Sequence, residues 1–245
     1  MQLLTLGSSS KGNCYILQAG NGSCLVLEAG VSIKEVKKAV KFRLDKICGV
    51  LVTHEHGDHA EYVKDFQKYC IPVYTSKGTA SHFQSQTGIR VMEETTEYQI
   101  GDFKVIPFAV NHDAEEPFGY HISHLEMGTL LFGTDCASIP YQFDGIDHFL
   151  IECNYDEDII LENCNNHMIA TSLMERIQKS HMSLTGCIDF LKSSGGRNAQ
   201  NIILCHLSAL NSDFRSINDK FYTELYKVPK IAQKGVSTAI NKFPY

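Results

Sequence analysis

The segment His54-Glu55-His56-Gly57-Asp58-His59 places three imidazoles and the Asp58 carboxylate within six residues, directly after the apolar run ICGVLVT. Neutral imidazole nitrogen and carboxylate oxygen are donors that zinc accepts. On one tight loop, residues 54 and 56 can face one ion while 58 and 59 face another. Two ions about 3.5–4 Å apart can share a carboxylate and a hydroxide. An isolated HxH is weak evidence for such a site, whereas HxHxDH at the end of a buried strand is strong.

Three more ligand-type residues follow in order, each after an apolar run. His112 comes after FKVIPFAV, Asp135 closes TLLFGTD, and His206 follows NIILC. In layered α/β folds the carboxyl ends of strands are where sites gather. This order turns an ordinary loop histidine at 112 into a ligand candidate.

The elements that must position these groups are short. QLLTL, CYILQ and CLVLEA are strand-like runs separated by Gly/Ser/Asn turns, and they predict an antiparallel meander. SIKEVKKAVKF predicts an amphipathic helix, with Ser32 and Glu35 spaced as a capping box. Its lysines read as a solvated face rather than a nucleic-acid contact. ICGVL is a buried strand, and Tyr62, Val63, Phe66, Tyr69 and Cys70 keep helical spacing after the histidine cluster. VYTS is the next strand. FGYHIS and TLLFGTD are expected as a hairpin pair, HFLIECN as another strand, and NIILC as a late one. Helices are expected up to about residue 179, from Ser183 to Leu191, and from about Ser212 to Tyr226. NCNNH at 163–167 reads as polar loop.

The chain has 245 residues, 43% hydrophobic and 20% charged, so a packed core is expected and disorder is not. No repeat or linker divides it, so a single domain over residues 1–245 is expected. No uncharged apolar stretch is long enough for a membrane span, and the first residues read as strands rather than a signal peptide. The nine cysteines are scattered with no CxxC pair, which points to a reducing, cytoplasmic setting rather than a disulfide framework. The net charge of −6 argues against broad electrostatic capture of nucleic acid but not against a nucleic-acid enzyme, because bound divalent ions reverse the local charge.

The full pattern resembles the metallo-β-lactamase-fold hydrolases, over nearly the whole chain. GSSSKGNCYIL near the start, SHMSLTGCIDFL at 180–191 and CHLSALNS at 205–212 are similar to the compact WalJ/YycJ-type members. The resemblance implies a four-layer αββα sandwich carrying a dinuclear metal site. Carried across position by position, His54, His56 and His112 would hold the first ion, and Asp58, His59 and His206 the second. Asp135 would bridge the two. Zinc suits this donor set, and manganese fits where carboxylates contribute. The sequence departs from the family at Glu28, where an Asp usually precedes Ala-Gly. It departs again at SHMSLTG, which replaces a Gly-His-Leu-Ser-Asn pattern, and in the neighbours of Asp135. None of these changes removes a ligand.

The activity so implied is phosphodiester hydrolysis, with DNA exonuclease as first choice. Asp58 would orient the attacking water, and His181 would protonate the departing oxygen, a task suited to imidazole near neutral pH. Cyclic-nucleotide phosphodiesterase and lactone or thioester hydrolase are the alternatives, and a non-catalytic metal-binding interaction module is the rival of another class. The implied partner is a nucleic-acid or nucleotide phosphodiester, with no membrane. His121, His124, His148 and His167 fall outside the ligand order and are expected as surface or satisfied core residues. Ser208 and Asn211 are weak candidates for phosphate contacts.

Overall fold

The computed structural model describes residues 1–243. The chain divides into two compact units. One comprises Met1–Ala109, Ala114–Thr129 and residues 232–243; the other comprises Val110–Asp113 and Leu130–Ile231. The class is mixed α/β, with two β-sheets and flanking helices, as the sequence led us to expect.

In the first unit, β1 (Gln2–Gly7), β2 (Cys14–Gln18) and β3 (Cys24–Leu27) form the expected antiparallel meander, with Leu4 opposite Ile16 and Ile16 opposite Val26. After α1 (Ile33–Ala39), β4 (Ile47–Leu51) joins β3 in parallel. Two short helices, α2 (Gly57–Ala60) and α3 (Val63–Lys68), lead to β5 (Val73–Thr75). Then α4 (Lys77–Ser81) leads to β6 (Ile89–Val91), so β4, β5 and β6 run parallel. Strands β7 (Tyr98–Ile100), β8 (Phe103–Ala109) and β9 (Phe118–His124) form an antiparallel ribbon.

The second unit carries β10 (Gly128–Gly133), whose residues from Leu130 pair in parallel with β11 (His148–Glu152). Helices α5 (Glu157–Asn165), α6 (Thr171–Ser180) and α7 (Leu184–Ser193) follow. β12 (Asn201–Cys205) pairs in parallel with β11, α8 (Phe214–Leu225) comes next, and β13 (Lys230–Ile231) pairs with β12. Back in the first unit, β14 (Ser237–Ala239) pairs antiparallel with β1.

Burial follows the hydrophobic pattern. Ile16, Val26, Val36, Val50, Phe66 and Val73 are buried in one apolar cluster of the first unit. In the second unit all five residues of β11 are buried, which is the habit of a strand covered on both faces. Among the described residues, no helix is long and apolar enough to cross a membrane.

Three local expectations are corrected. Ser32 is the N-cap of α1, but its hydroxyl makes no capping bond. The Glu35 N–H donates instead to the Ser32 carbonyl at 2.9 Å, and the Glu35 carboxylate turns to Lys38, 3.3 Å away. With the backbone donor already satisfied, the box has nothing left to close. NCNNH is not loop at its start: α5 runs through Asn165, and the chain turns only at His167, whose φ is 57°. The last helix begins at Phe214, two residues later than Ser212, because Asp213 caps it by accepting from Ser216 N. The basic face of α1 reads as expected from solvated lysines, with Lys37 Nζ lying 3.7 Å over the Tyr69 ring.

Candidate metal centre

The histidine cluster of the first unit sits between the end of β4 and the start of α3. The strand end is anchored because the Val52 carbonyl accepts from both Thr75 Oγ1, at 2.8 Å, and Tyr120 OH, at 2.7 Å. Helix α2 then starts inside the motif: the N–H groups of His59 and Ala60 both donate to the His56 carbonyl at 2.9 Å. The loop is stitched to its neighbours through main-chain bonds. Asn13 N donates to Asp58 O at 2.8 Å, and Ala29 N to His59 O at 2.7 Å. These bonds bring the imidazoles together: the ring of His54 lies 4.7 Å from that of His56 and 4.2 Å from that of His59.

Supporting groups fix the ring orientations. Thr53 Oγ1 lies 2.8 Å from His54 Nδ1. Asn13 Nδ2 donates to Asp58 Oδ2 at 3.1 Å and to His59 Nε2 at 3.0 Å. An amide nitrogen can only donate, so Nε2 of His59 carries the lone pair and Nδ1 the proton. That Nδ1 faces Glu28 Oε2 at 3.5 Å, and the same carboxylate oxygen accepts from Thr53 N at 3.3 Å. A carboxylate behind a ligand-type histidine fixes its tautomer and basicity. Glu28 is fully buried, burial pushes its carboxyl up, and the bonds from His59 and Thr53 offset that only in part.

The second unit gathers its own cluster at the carboxyl ends of three parallel strands. Gly133 pairs with Ile151, and Ile151 with Leu204, so Asp135, Glu152 and His206 emerge at one edge. Glu152 is the hub. Its Oε2 accepts from Cys136 N at 2.8 Å and from Met182 N at 3.1 Å. Its Oε1 lies 2.7 Å from His181 Nδ1 and 3.3 Å from His206 Nδ1. Asn154 Nδ2 donates to the His206 carbonyl at 2.9 Å. The rings of His181 and His206 stack at 5.3 Å with 13° between planes. One donor atom from each of Asp135, Glu152, His181 and His206 lies within 4.8 Å of the others. His112 Nδ1 lies 2.8 Å from the Ser180 carbonyl, which can only accept, so the His112 lone pair sits on Nε2.

The electrostatics follow from burial and charge. Burial would raise the Glu152 carboxyl, but His181 and His206 outweigh it, and the net shift is downward. Burial alone would lower His181, yet the charges of Glu152 and Asp135 reverse that and raise it. For His112 burial dominates and lowers the pKa, which favours the neutral, ligating imidazole. Glu28, Asp135 and His206 all hold positive φ (69°, 46° and 51°). Non-glycine residues rarely adopt that conformation, and such strain clusters at functional sites.

The candidates are therefore placed as follows. His54, His56, Asp58 and His59 share one loop of the first unit, and Asp135, His181 and His206 share one cluster of the second, with His112 bonded to the end of α6. Ser208 and Asn211 are committed to their own turn: Ser208 Oγ accepts from Asn211 N at 3.2 Å, and Asn211 Oδ1 accepts from Asn163 Nδ2 at 3.0 Å. His148 is a satisfied core residue, 3.0 Å from Asn201 Nδ2. Sequence reasoning missed Glu152, Asn154 and Asn13. For Glu152 a signal existed, since HFLIE is an apolar run closed by an acid at the same strand edge as the ligands.

Imidazole and carboxylate donors in these two clusters match what first-row divalent ions accept. Glu28 Oε1, buried and without a hydrogen-bond partner among the described residues, marks a polar interior built for more than packing.

Comparison with known proteins decides the family. Residues 25–207 match the model of the beta-lactamase superfamily domain. The chain belongs to that superfamily. It is 27% identical to the exodeoxyribonuclease WalJ of Streptococcus pneumoniae, with 96% of this chain and 90% of the relative covered. It is 29% identical to the exodeoxyribonuclease YycJ of Bacillus anthracis, over 63% of each chain. Among solved structures it is similar to the metallo-beta-lactamase fold protein YhfI of Bacillus subtilis, with a TM-score of 0.73, 18% identity, and 97% and 99% of the two chains covered. The chain is thus a metal-dependent hydrolase of the metallo-β-lactamase fold, as the HxHxDH motif led us to expect.

Proposed function

We propose that this chain hydrolyses phosphodiester bonds in DNA as an exonuclease, and that seven side chains hold two divalent ions. His54, His56 and His112 would hold the first, Asp58, His59 and His206 would hold the second, and Asp135 would serve both. The order of these residues along the chain supports that assignment, as does the chemistry of the two clusters. When bound, the ions would supply Lewis acidity and make water acidic enough to ionise near pH 7. Zinc fits the histidine-rich donor set best. Nine cysteines without a disulfide among the described residues fit a cytoplasmic enzyme.

The chain's own residues divide the remaining work. Asp58, held by Asn13 Nδ2 at 3.1 Å, orients the attacking water. His181 protonates the departing oxygen. The observation that carries this reading is the 2.7 Å contact between His181 Nδ1 and Glu152 Oε1. Glu152 accepts the Nδ1 proton and leaves Nε2 to exchange a proton with substrate, an orienter–base arrangement suited to general acid catalysis. Hydrolysis of DNA also agrees with the two exodeoxyribonucleases to which the chain is similar.

The test measures metal content and then offers the metal-loaded protein 5′-phosphorylated single- and double-stranded DNA, RNA, a cyclic nucleotide and a lactone. The expected result is two metals per chain and release of mononucleotides from DNA, abolished by Asp58→Ala. DNA left intact while a cyclic nucleotide is opened would overturn the assignment.

A further inference from the structure

A pocket of about 360 Å³ lies wholly within the second unit, beside the Asp135–Glu152–His181 cluster. Its walls are residues 137–142, which follow Asp135, together with Met182 and one face of α7 from Gly186 to Ser193. The proximity is covalent and hydrogen-bonded. Ser138 lies three residues beyond Asp135, and its Oγ accepts from Asn111 Nδ2 at 2.7 Å, next to His112. Met182 adjoins His181, and its N–H is held by Glu152.

The lining has a particular chemistry. Tyr141 offers exposed flat apolar surface, backed by the buried Phe190 and Met182, while Ser138, Gln142 and Asp189 offer hydrogen-bonding groups. Phe190 and Tyr141 each lie 6.4 Å from the ring of Phe143, so the aromatic wall continues past the pocket. No lysine or arginine is among the lining residues, and a carboxylate is. A phosphate would be repelled by Asp189 and find no cation. A flat heteroaromatic ring with amino and ring N–H groups on its edge meets stacking surface and acceptors together. The volume is within the range of small-ligand pockets and exceeds what one such ring needs.

We propose that this pocket is a nucleobase subsite, in which one unpaired base of a DNA strand stacks while its phosphodiester reaches the catalytic cluster. The proposal rests on the phosphodiesterase reading and adds the part of the substrate that is held. It makes the enzyme a reader of bases as a chemical class, preferring a strand end or single strand whose bases are free to swing out.

Two measurements separate the two ideas. The metal-loaded protein is titrated into an oligonucleotide with a cleavage-resistant phosphorothioate backbone carrying 2-aminopurine near its ends, whose fluorescence falls on stacking. Quenching is expected, with Tyr141→Phe retaining it and Tyr141→Ala and Gln142→Ala reducing it. The metal-loaded protein is then compared on normal DNA and on DNA with an abasic position in each of the terminal three nucleotides. One abasic position is expected to lower kcat/KM about tenfold, mainly through KM, as the loss of one stacked base would. In Tyr141→Ala the ratio between the two substrates should fall towards one. Equal rates on both DNAs in the unaltered protein, or quenching that Tyr141→Ala leaves intact, overturns the subsite. If no phosphodiester is cleaved at all but quenching and its Tyr141 dependence are seen, the subsite stands and the hydrolytic reading fails.

Discussion

His181 Nδ1 lies 2.7 Å from Glu152 Oε1, while the other oxygen of the same carboxylate receives the backbone N–H groups of Cys136 and Met182. One buried acid therefore ties together the residue after Asp135, the residue after His181 and the His181 ring itself. The Asp135 and His181 segments are 46 residues apart in sequence and meet on this group.

The first prediction concerns that tie. In Glu152→Gln the amide oxygen can still accept both backbone N–H groups, so its NH₂ must face His181 Nδ1. That nitrogen then becomes an acceptor, and the carboxylate charge that favours the doubly protonated ring is gone, leaving a neutral imidazole whose remaining Nε2 proton is a far weaker acid. The protein should fold, and at saturating metal kcat should fall about 10²-fold with KM little changed, as for loss of an oriented general acid. Glu152→Ala should instead destabilise the fold by about 2–5 kcal/mol, because two buried N–H groups lose their acceptor. Steady-state kinetics and thermal unfolding distinguish the two; equal kcat in the Gln variant would remove His181 from the chemistry.

The second concerns Glu28, the residue that departs from the family pattern. Its carboxylate faces His59 Nδ1 at 3.5 Å, behind the side of the ring assigned to the metal. Glu28→Ala should weaken the site served by His59 by about 10–100-fold, the usual effect of losing a carboxylate that orients a ligating histidine. Competition with a chromogenic chelator reads this directly. The other ion should be held as before, so the two sites should separate in the titration.

Much of this was legible in the sequence. The HxHxDH motif, the order His112–Asp135–His206 and most strands follow from apolar runs that end in ligand-type residues. The orienting shell was legible only in part. Asn13 is one amide in a Gly/Ser-rich turn, and its role depends on a main-chain bond to Asp58, 45 residues away. Asn154 works on His206 across 52 residues. Spacing patterns register what is periodic or adjacent; a single polar residue that serves a distant loop leaves no period. The Ser32–Glu35 box failed for the opposite reason, since a correct local signal lost to a main-chain acceptor that satisfied the same donor.

The third prediction is a pH dependence of stability in the second unit. Asp156 is buried at the N-cap of α5; its Oδ1 accepts from Asp158 N at 3.0 Å, and its Oδ2 from Ser216 Oγ at 2.6 Å and Lys220 Nζ at 3.3 Å. Burial alone would raise its pKa, but these bonds outweigh it and set the folded value below the usual carboxylate range. An unfolded aspartate titrates near pH ~3.9. The carboxylate therefore contributes stability that is fully present above that pH and is lost as pH falls through the lower folded value. Asp156→Asn should cost about 1–2 kcal/mol at pH 6, and its stability should converge with that of the unaltered protein only once the pH has fallen below the lowered folded value. Urea unfolding at several pH values checks this; a constant difference across the range would refute it.

The fourth concerns a glycine whose role is close approach rather than unusual φ. The Gly30 N–H donates to Asn13 O at 3.0 Å, while a Cβ on Gly30 would lie 1.7 Å from the Asp58 carbonyl oxygen. That oxygen is main chain, and it already accepts from Asn13 N at 2.8 Å, so it cannot swing aside as a side chain would. Gly30→Ala must push the Asp58–His59 segment off the β3 exit loop or break the Asn13 bonds. Either movement displaces Asp58 and the His59 ring from the other imidazoles. The expected result is a fall in metal stoichiometry and a destabilisation of about 1–3 kcal/mol or more, the range for forced overpacking. Gly57→Ala, by contrast, meets no atom within 4 Å although it sits inside the motif itself. It should keep both metal content and stability, since alanine is also the better helix former at the start of α2. Metal analysis and unfolding of the two variants side by side test whether the loop's position depends on this one contact; an intact site in Gly30→Ala would show that it does not.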